Sequence, residues 1–147
     1  MIDVAGINVG DEIVSAEFGP LTIVDTVRWA GVQENPERLH WDREFAREHS
    51  RLRTFIASGG YRQALLARAM TDWLGAGGRL ARMKVRHIAP TFEGDMLRYS
   101  VRVTEKSAQG PAVTLTCALD GSNQRNDTVL TGSCTLTVSL RAEAPTG

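Results

Sequence analysis

The sequence has 147 residues, of which 42% are hydrophobic, and its 17 basic and 17 acidic side chains give a net charge of zero. This length predicts one domain, residues 1–147, with a single core. The balanced charge argues against a nucleic acid or an anionic membrane as the main partner, and no apolar run is long enough to span a bilayer. The N-terminus lacks the pattern of a secretory signal, so we expect a cytoplasmic protein.

The cysteines argue against metal or redox chemistry. Cys117 and Cys134 do not form a Cys-x-x-Cys motif, and no group of histidines and cysteines has the spacing of zinc ligands. Each cysteine has the apolar parity of a predicted strand, which favours small core residues. Phosphate-loop, dinucleotide-binding and serine-nucleophile motifs are absent as well. We therefore expect no metal and no cofactor.

The first part of the chain predicts short helices joined by turns. Residues 1–20 are rich in glycine and turn signals. Residues 22–30 carry apolar side chains at helical spacing, with Thr22 or Asp25 as the candidate cap. Residues 31–40 are expected to form a loop. A second short helix is expected over residues 42–49, where Asp42 is a better helix cap than a catalytic group.

The strongest helical pattern covers residues 59–74. Apolar side chains recur there at helical spacing, and alanines fill most of the remaining positions. A helix that is apolar over most of its circumference is usually enclosed by other elements. Glycines at positions 75, 77 and 78 are expected to end it.

After this helix the hydrophobic period changes to two. Alternating segments cover residues 81–87, 97–103, 113–119 and 130–140, and turn residues lie in each of the three connections between them. Four consecutive strands with one polar face predict an antiparallel meander. Together with the enclosed helix, they predict an α+β fold in which a curved antiparallel sheet wraps around the central helix.

The clearest candidate for chemistry is His40, in a polar segment interrupted by Pro36. Histidine can take and give protons near neutral pH. Considered alone, His40 is better explained as a surface-loop residue. Of the other two histidines, His87 has the apolar parity of its strand and favours a core or interface position. His49 ends a charged segment and is expected to face solvent.

Three segments resemble the MaoC-like hydratase/dehydratase family, whose fold is the hotdog. They are Asn35–Ala46, Ile56–Gly60 at the start of the long helix, and Pro90–Asp95. The family typically has an aspartate five residues before its histidine, where this sequence has Asn35. It usually has His-Gly at the helix start, where this sequence has Ser58 before Gly59.

Two shorter runs are similar to particular branches of that family. Arg38–Asp42 resembles the branch that hydrates mesaconyl-type thioesters or dehydrates 3-hydroxyacyl thioesters, in which asparagine also occupies the aspartate position. Met70–Trp73 resembles the small subunit of actinobacterial steroid side-chain enoyl-CoA hydratases. The resemblance implies a single hotdog domain that forms a homodimer or a heterodimer with another hotdog chain.

The resemblance also implies a lyase that hydrates an enoyl thioester or dehydrates a 3-hydroxyacyl thioester, carried by CoA or an acyl carrier protein. His40 and Asn35 would then be the catalytic residues. Ser58, Gly59 and Gly60 would bind substrate and its oxyanion, because the first N–H groups of a helix lack internal partners and lie at its positive end.

Two alternatives stay open at this point. Asn35 cannot act as a base, although its amide can orient a water or a hydroxyl group, and Ser58 suits a helix cap. The chain could therefore be a non-catalytic subunit that completes the site of a partner. It could also perform related chemistry as a thioesterase or a polyketide-type dehydratase.

Overall fold

The computed structural model describes residues 2–140. Five strands, three α-helices and two short 3₁₀ turns account for most of this range. In chain order they are β1 (Glu12–Phe18), α1 (Ile23–Val32), a 3₁₀ turn (Arg38–His40), α2 (Arg43–Ser50), α3 (Gly59–Leu74), a second 3₁₀ turn (Gly75–Gly77), β2 (Gly78–His87), β3 (Leu97–Gln109), β4 (Ala112–Ser122) and β5 (Thr128–Ser139).

The strands form one antiparallel sheet in the order β1-β3-β4-β5-β2. Strands β3, β4 and β5 form the predicted meander, but β2 pairs with β5 at one edge and not with β3. The expected four-strand meander is therefore wrong on this point. Alternation identifies a strand and its buried face, whereas the choice of neighbour depends on how the whole sheet assembles.

Strand β1 forms the other edge and lies in the turn-rich segment 1–20, for which the sequence predicts no strand. Its alternation is short, and Gly10 and Gly19 flank it closely. These two glycines have positive φ angles of 97° and 126°, so the turn signals are correct on both sides of the strand. The strand between them is recognisable only once β3 provides its partner.

Helix α3 packs on one face of this sheet and supplies the centre of the main core. Its buried apolar residues join those of four strands in one cluster. The largest fully buried members are Leu66, Met70, Leu97, Tyr99, Val101, Val103, Leu115, Leu119, Val129, Leu130 and Leu136. The two cysteines belong to this cluster and lie opposite each other on β4 and β5, so their predicted core role is confirmed.

The predicted bounds of α3 are confirmed, since it begins at Gly59 after the cap Ser58 and ends at Leu74 before Gly75. Its apolar circumference is less complete than expected. Arg62 is buried on the sheet side, while Arg68 and Asp72 are exposed on the opposite side. One side of the helix therefore stays uncovered by the described residues.

The two short helices begin where the sequence predicts. Thr22 and Asp25 form a reciprocal capping box at α1, which runs two residues further than expected, to Val32. Asp42 caps α2 by accepting the N–H of Phe45 at 3.0 Å. Within residues 2–140, no helix is long and apolar enough to cross a membrane, and no cluster of three metal-ligating side chains occurs.

Candidate active site

The 3₁₀ turn at Arg38–His40 holds the His40 ring against the segment that leads into α3. The Nδ1 atom of His40 lies 2.9 Å from the carbonyl oxygen of Ile56. A carbonyl only accepts hydrogen bonds, so Nδ1 carries the hydrogen in the neutral ring, and Nε2 is left with its lone pair. The structure therefore selects the tautomer of His40 in which Nε2 can accept a proton.

His40, Asn35 and Ser58 line the same small pocket, so the structure brings three of the five candidate residues together. They come from three places: the 3₁₀ turn, the loop after α1 and the cap of α3. The remaining lining residues are Thr26, Trp29, Ala30 and Tyr61.

Asn35 is held by both its backbone and its side chain. Its N–H donates to the carbonyl of Ala30 at 2.9 Å, and its Oδ1 accepts the N–H of Glu37 at 3.0 Å. This local bond uses the acceptor end of the amide and leaves Nδ2 without a partner in the described chain. Glu34 and Glu37 are exposed, as expected for solvated loop charges.

The first turn of α3 offers unused backbone donors. Ser58 accepts the N–H of Tyr61 at 3.1 Å through its hydroxyl and that of Arg62 at 3.3 Å through its carbonyl. The N–H groups of Gly59 and Gly60 have no acceptor among residues 2–140. Donors at the positive end of a helix suit an anionic oxygen, so the geometry is compatible with the predicted oxyanion role.

Polar side chains cover both glycines closely. A Cβ atom added to Gly59 would lie 2.8 Å from Nε2 of His87, and one added to Gly60 would lie 3.0 Å from the side-chain amide of Gln33. Both contacts are shorter than van der Waals separation. At Gly59 the neighbour is a ring, so the close approach favours a residue without a Cβ there, whereas at Gly60 the neighbour is the flexible end of a side chain.

His87 is the residue that sequence reasoning assigned only to the core or an interface. The structure places it at the start of α3, half-buried, with Nε2 3.2 Å from Nε2 of Gln63 and with Nδ1 buried and unpaired within the described range. Burial lowers the pKa of His87, and the charge of Arg62 lowers it further. The ring is therefore held neutral beside Gly59. His49 is exposed, as predicted.

Arg62 connects α3 to the sheet below the site. Only 5% exposed, it donates from Nη1 to the carbonyl of Ala89 at 2.7 Å and makes 3.4 Å contacts with Thr91 Oγ1 and the carbonyl of Val129. Its Nε has no partner in the described residues, and no carboxylate there pairs with it. Burial lowers the pKa of this guanidinium group.

Trp29 and Tyr61 form the aromatic part of the pocket, with ring centroids 5.8 Å apart. The Nε1–H group of Trp29 is buried and lacks a hydrogen-bond partner among residues 2–140. Burial raises the pKa of Tyr61, with a smaller effect from Asp25, so its phenol stays neutral. Helical spacing alone does not show which aromatic side chain borders a site.

Arg38 and Arg43, which flank His40 in the sequence, each have a carboxylate partner. Arg38 donates to Asp42 at 2.6 Å, and Arg43 pairs with Glu93. The backbone N–H of Phe45 and then Arg38 lower the pKa of Asp42. These contacts stabilise the turn and α2, and both arginines are ion-paired in this structure.

A family model described as a MaoC like domain matches residues 8–119. Among solved structures, a MaoC-like dehydratase from Rhodospirillum rubrum is 26% identical to this chain and has a TM-score of 0.83. The alignment covers 97% of this chain and 99% of that chain. No curated protein matches the sequence.

More distant structures share the architecture. The R-hydratase PhaJ1 from Pseudomonas aeruginosa is 24% identical with a TM-score of 0.77, covering 97% of this chain and 94% of that chain. The ChsH1–ChsH2 complex from Mycobacterium tuberculosis is 18% identical with a TM-score of 0.73, covering 89% of this chain and 98% of that chain. The predicted hotdog fold is thereby confirmed.

Proposed function

Since the chain belongs to the MaoC-like domain family, we propose that it hydrates an enoyl thioester or dehydrates a 3-hydroxyacyl thioester carried by CoA or an acyl carrier protein. The observation that carries this proposal is the fixed tautomer of His40 in a pocket shared with Asn35. The similar R-hydratase structure supports the same reaction class.

In the hydration direction, Nε2 of His40 takes a proton from a water molecule that the amide of Asn35 orients. The resulting hydroxide adds to the β-carbon, and the electron pair of the double bond moves towards the thioester. The N–H groups of Gly59 and Gly60 stabilise the negative charge on the thioester oxygen. His40 then returns the proton to the α-carbon, which leaves the ring neutral again.

We place this chemistry in a two-chain assembly, either a homodimer or a heterodimer with another hotdog chain. The exposed side of α3 and the small size of the pocket that His40, Asn35 and Ser58 line support a site that is completed by a second chain. The solved ChsH1–ChsH2 complex is an example of two different chains in related structures.

The direct test is turnover of a crotonyl-type thioester by the wild type and by His40→Ala. Losing a general acid or base typically costs on the order of a hundredfold or more, and we expect that loss in kcat with little change in Tm. His49→Ala is the matched control, because His49 is an exposed histidine on the neighbouring helix. Equal turnover of folded His40→Ala and wild type would contradict the assignment.

The replacement of the family aspartate by Asn35 favours one second candidate, a non-catalytic subunit that completes a partner's site. A purified chain that turns over no enoyl thioester, yet activates a second hotdog chain on mixing, would identify this case. Release of free thiol without hydration would instead identify a thioesterase. Fold alone does not separate these outcomes, because one fold supports several chemistries.

A further inference from the structure

Three buried side-chain nitrogens within residues 2–140 have no hydrogen-bond partner. They are Nε1 of Trp29, Nε of Arg62 and Nδ1 of His87, and their residues belong to the first turn of α3 or pack against it. Buried polar atoms are normally paired, because an unpaired one loses its hydration without replacement. Arg62 reaches the sheet and His87 belongs to it. Of the three, only Trp29 lines the pocket of His40, so its N–H group is the one available to a ligand there.

The last turn of α1 holds Trp29 beside Asn35. The carbonyl of Trp29 accepts the N–H of Gln33 at 3.0 Å. The carbonyl of the next residue, Ala30, accepts the N–H of Asn35 at 2.9 Å. On the other side, the ring of Tyr61 packs against the indole with its plane tilted by 59°. The half-buried indole therefore has a fixed backbone and a fixed aromatic neighbour, and its N–H group lies on the buried side.

Three groups of this pocket can act on one oxygen atom. Nε1 of Trp29 and Nδ2 of Asn35 are donors without partners in the described chain, and Nε2 of His40 is an acceptor. When His40 removes a proton from water, the oxygen is left with three electron pairs. One pair forms the bond to the β-carbon, and the other two can accept hydrogen bonds from the two donors. The N–H groups of Gly59 and Gly60 are then left for the thioester oxygen.

We propose that Trp29 is a further catalytic residue, whose Nε1–H group donates a hydrogen bond to the oxygen on the β-carbon. This oxygen belongs to the attacking water in hydration and to the leaving hydroxyl group in dehydration, so the inference rests on the proposed function. A donor that meets negative charge as it develops stabilises the transition state more than the ground state. The pocket consequently distinguishes a 3-hydroxyacyl thioester from the saturated thioester of the same length, which has no oxygen at this carbon.

The first test observes the Trp29 N–H group directly. Nitrogen–proton NMR spectra contain one indole signal for each of the three tryptophans, and Trp29→Phe identifies the Trp29 signal by its absence. We expect 3-hydroxybutyryl-CoA to move the Trp29 proton signal downfield, because hydrogen bonding deshields a proton. Butyryl-CoA, which lacks the β-oxygen, should move it no more than CoA alone does. The Trp73 signal is the internal reference, since Trp73 lies at the far end of α3.

The second test compares the kinetics of Trp29→Phe and Trp73→Phe on crotonyl-CoA. Phenylalanine keeps an aromatic ring against Tyr61 and removes the N–H donor. Losing a donor that acts in the transition state should lower kcat about tenfold or more and change KM by less than about threefold. Trp73→Phe is the matched control and should keep the wild-type kcat, because Trp73 is also half-buried but does not line the pocket.

Failure of the role of Trp29 is distinguishable from failure of the proposed function. If the wild type is active and folded Trp29→Phe has the same kcat, Trp29 is not catalytic and the hydratase assignment stands. The same conclusion follows if both acyl ligands move the Trp29 signal equally or neither moves it. If Trp29→Phe does not fold, Trp41→Phe and Trp73→Phe identify the signal by elimination. A wild type that neither turns over crotonyl-CoA nor binds either acyl ligand would overturn both proposals.

Discussion

At the scale of single residues, the candidate site depends on which end of each polar side chain is already engaged. His40 uses Nδ1 for the carbonyl of Ile56, and Asn35 uses Oδ1 for the N–H of Glu37. The remaining groups, Nε2 of His40 and Nδ2 of Asn35, are an acceptor and a donor. The pair can therefore hold a water or a hydroxyl group between opposite hydrogen-bonding functions.

This arrangement predicts the effect of restoring the family carboxylate. Asn35→Asp can keep the bond to the N–H of Glu37, but it loses the Nδ2 donor. An ionised carboxylate near His40 would also favour the protonated ring and remove the free base. We expect a fall in kcat of roughly tenfold or more, measured on one enoyl thioester from about pH 6 to about pH 9. A gain at every pH would instead indicate a degraded site.

The two glycines at the start of α3 give a second residue-scale prediction. Gly59→Ala should destabilise the protein by about 1–3 kcal/mol, because the new Cβ meets the ring of His87, which Gln63 holds. Gly60→Ala meets the flexible end of Gln33, so it should be close to neutral or gain up to about 1 kcal/mol of helix propensity. Urea unfolding of both variants tests this contrast. Equal effects would show that the His87 contact is easily displaced.

At the scale of elements, α3 is joined to the sheet by a buried cation that has no described counter-ion. Arg62 contacts residues that follow β2 and the start of β5, so it holds the helix near the end of the strand that carries His87. Burying such a charge costs several kcal/mol, while leaving one carbonyl unpaired costs about 1–3 kcal/mol. Removing the charge therefore relieves the cost of its burial but adds the cost of an unpaired carbonyl, and the two free-energy changes oppose each other.

Arg62→Met should therefore change the free energy of unfolding by no more than about 1 kcal/mol. It should also raise the pKa of His87, because the charge of Arg62 is one of the two causes that lower it. Titration of His87 by NMR measures this change, and Arg68→Met on the exposed side of α3 is the control. An unchanged His87 titration in the Arg62 variant would show that burial alone lowers the pKa.

At the scale of the whole molecule, His87 links stability to pH. Its pKa in the folded state is lowered, whereas in the unfolded chain it is about 6.5. As the pH falls below that value, the unfolded chain binds a proton that the native state disfavours, so stability decreases. The contribution of neutral His87 is present above about pH 6.5 and is lost as the pH falls through the lower folded pKa.

The variant His87→Gln cannot titrate at this position. Between about pH 7.5 and about pH 5, the free energy of unfolding should therefore fall more steeply for the wild type than for the variant. Urea unfolding at both pH values measures the difference, and the other two histidines are common to both proteins. Parallel pH dependences would show that the native state accommodates a protonated His87.

Local sequence determined the elements that depend on near neighbours. The bounds of α3, the caps Thr22, Asp42 and Ser58, and the inward parity of the cysteines all follow from spacing and side-chain chemistry. The resemblance around His40 also indicates the family, and the family match over residues 8–119 agrees with it. The roles of the five predicted site residues remain predictions.

Only the tertiary structure decided which elements meet. Strand β1 exists because β3 pairs with it, β2 lies beside β5 and not beside β3, and His87 consequently reaches Gly59. These contacts join residues that are far apart in the chain, and their free energies depend on the assembled sheet and not on local propensity. Caps and helical periodicity act within a few residues, so the sequence alone determined the helices and the buried face of the later strands, whereas long-range pairing determined β1 and the site.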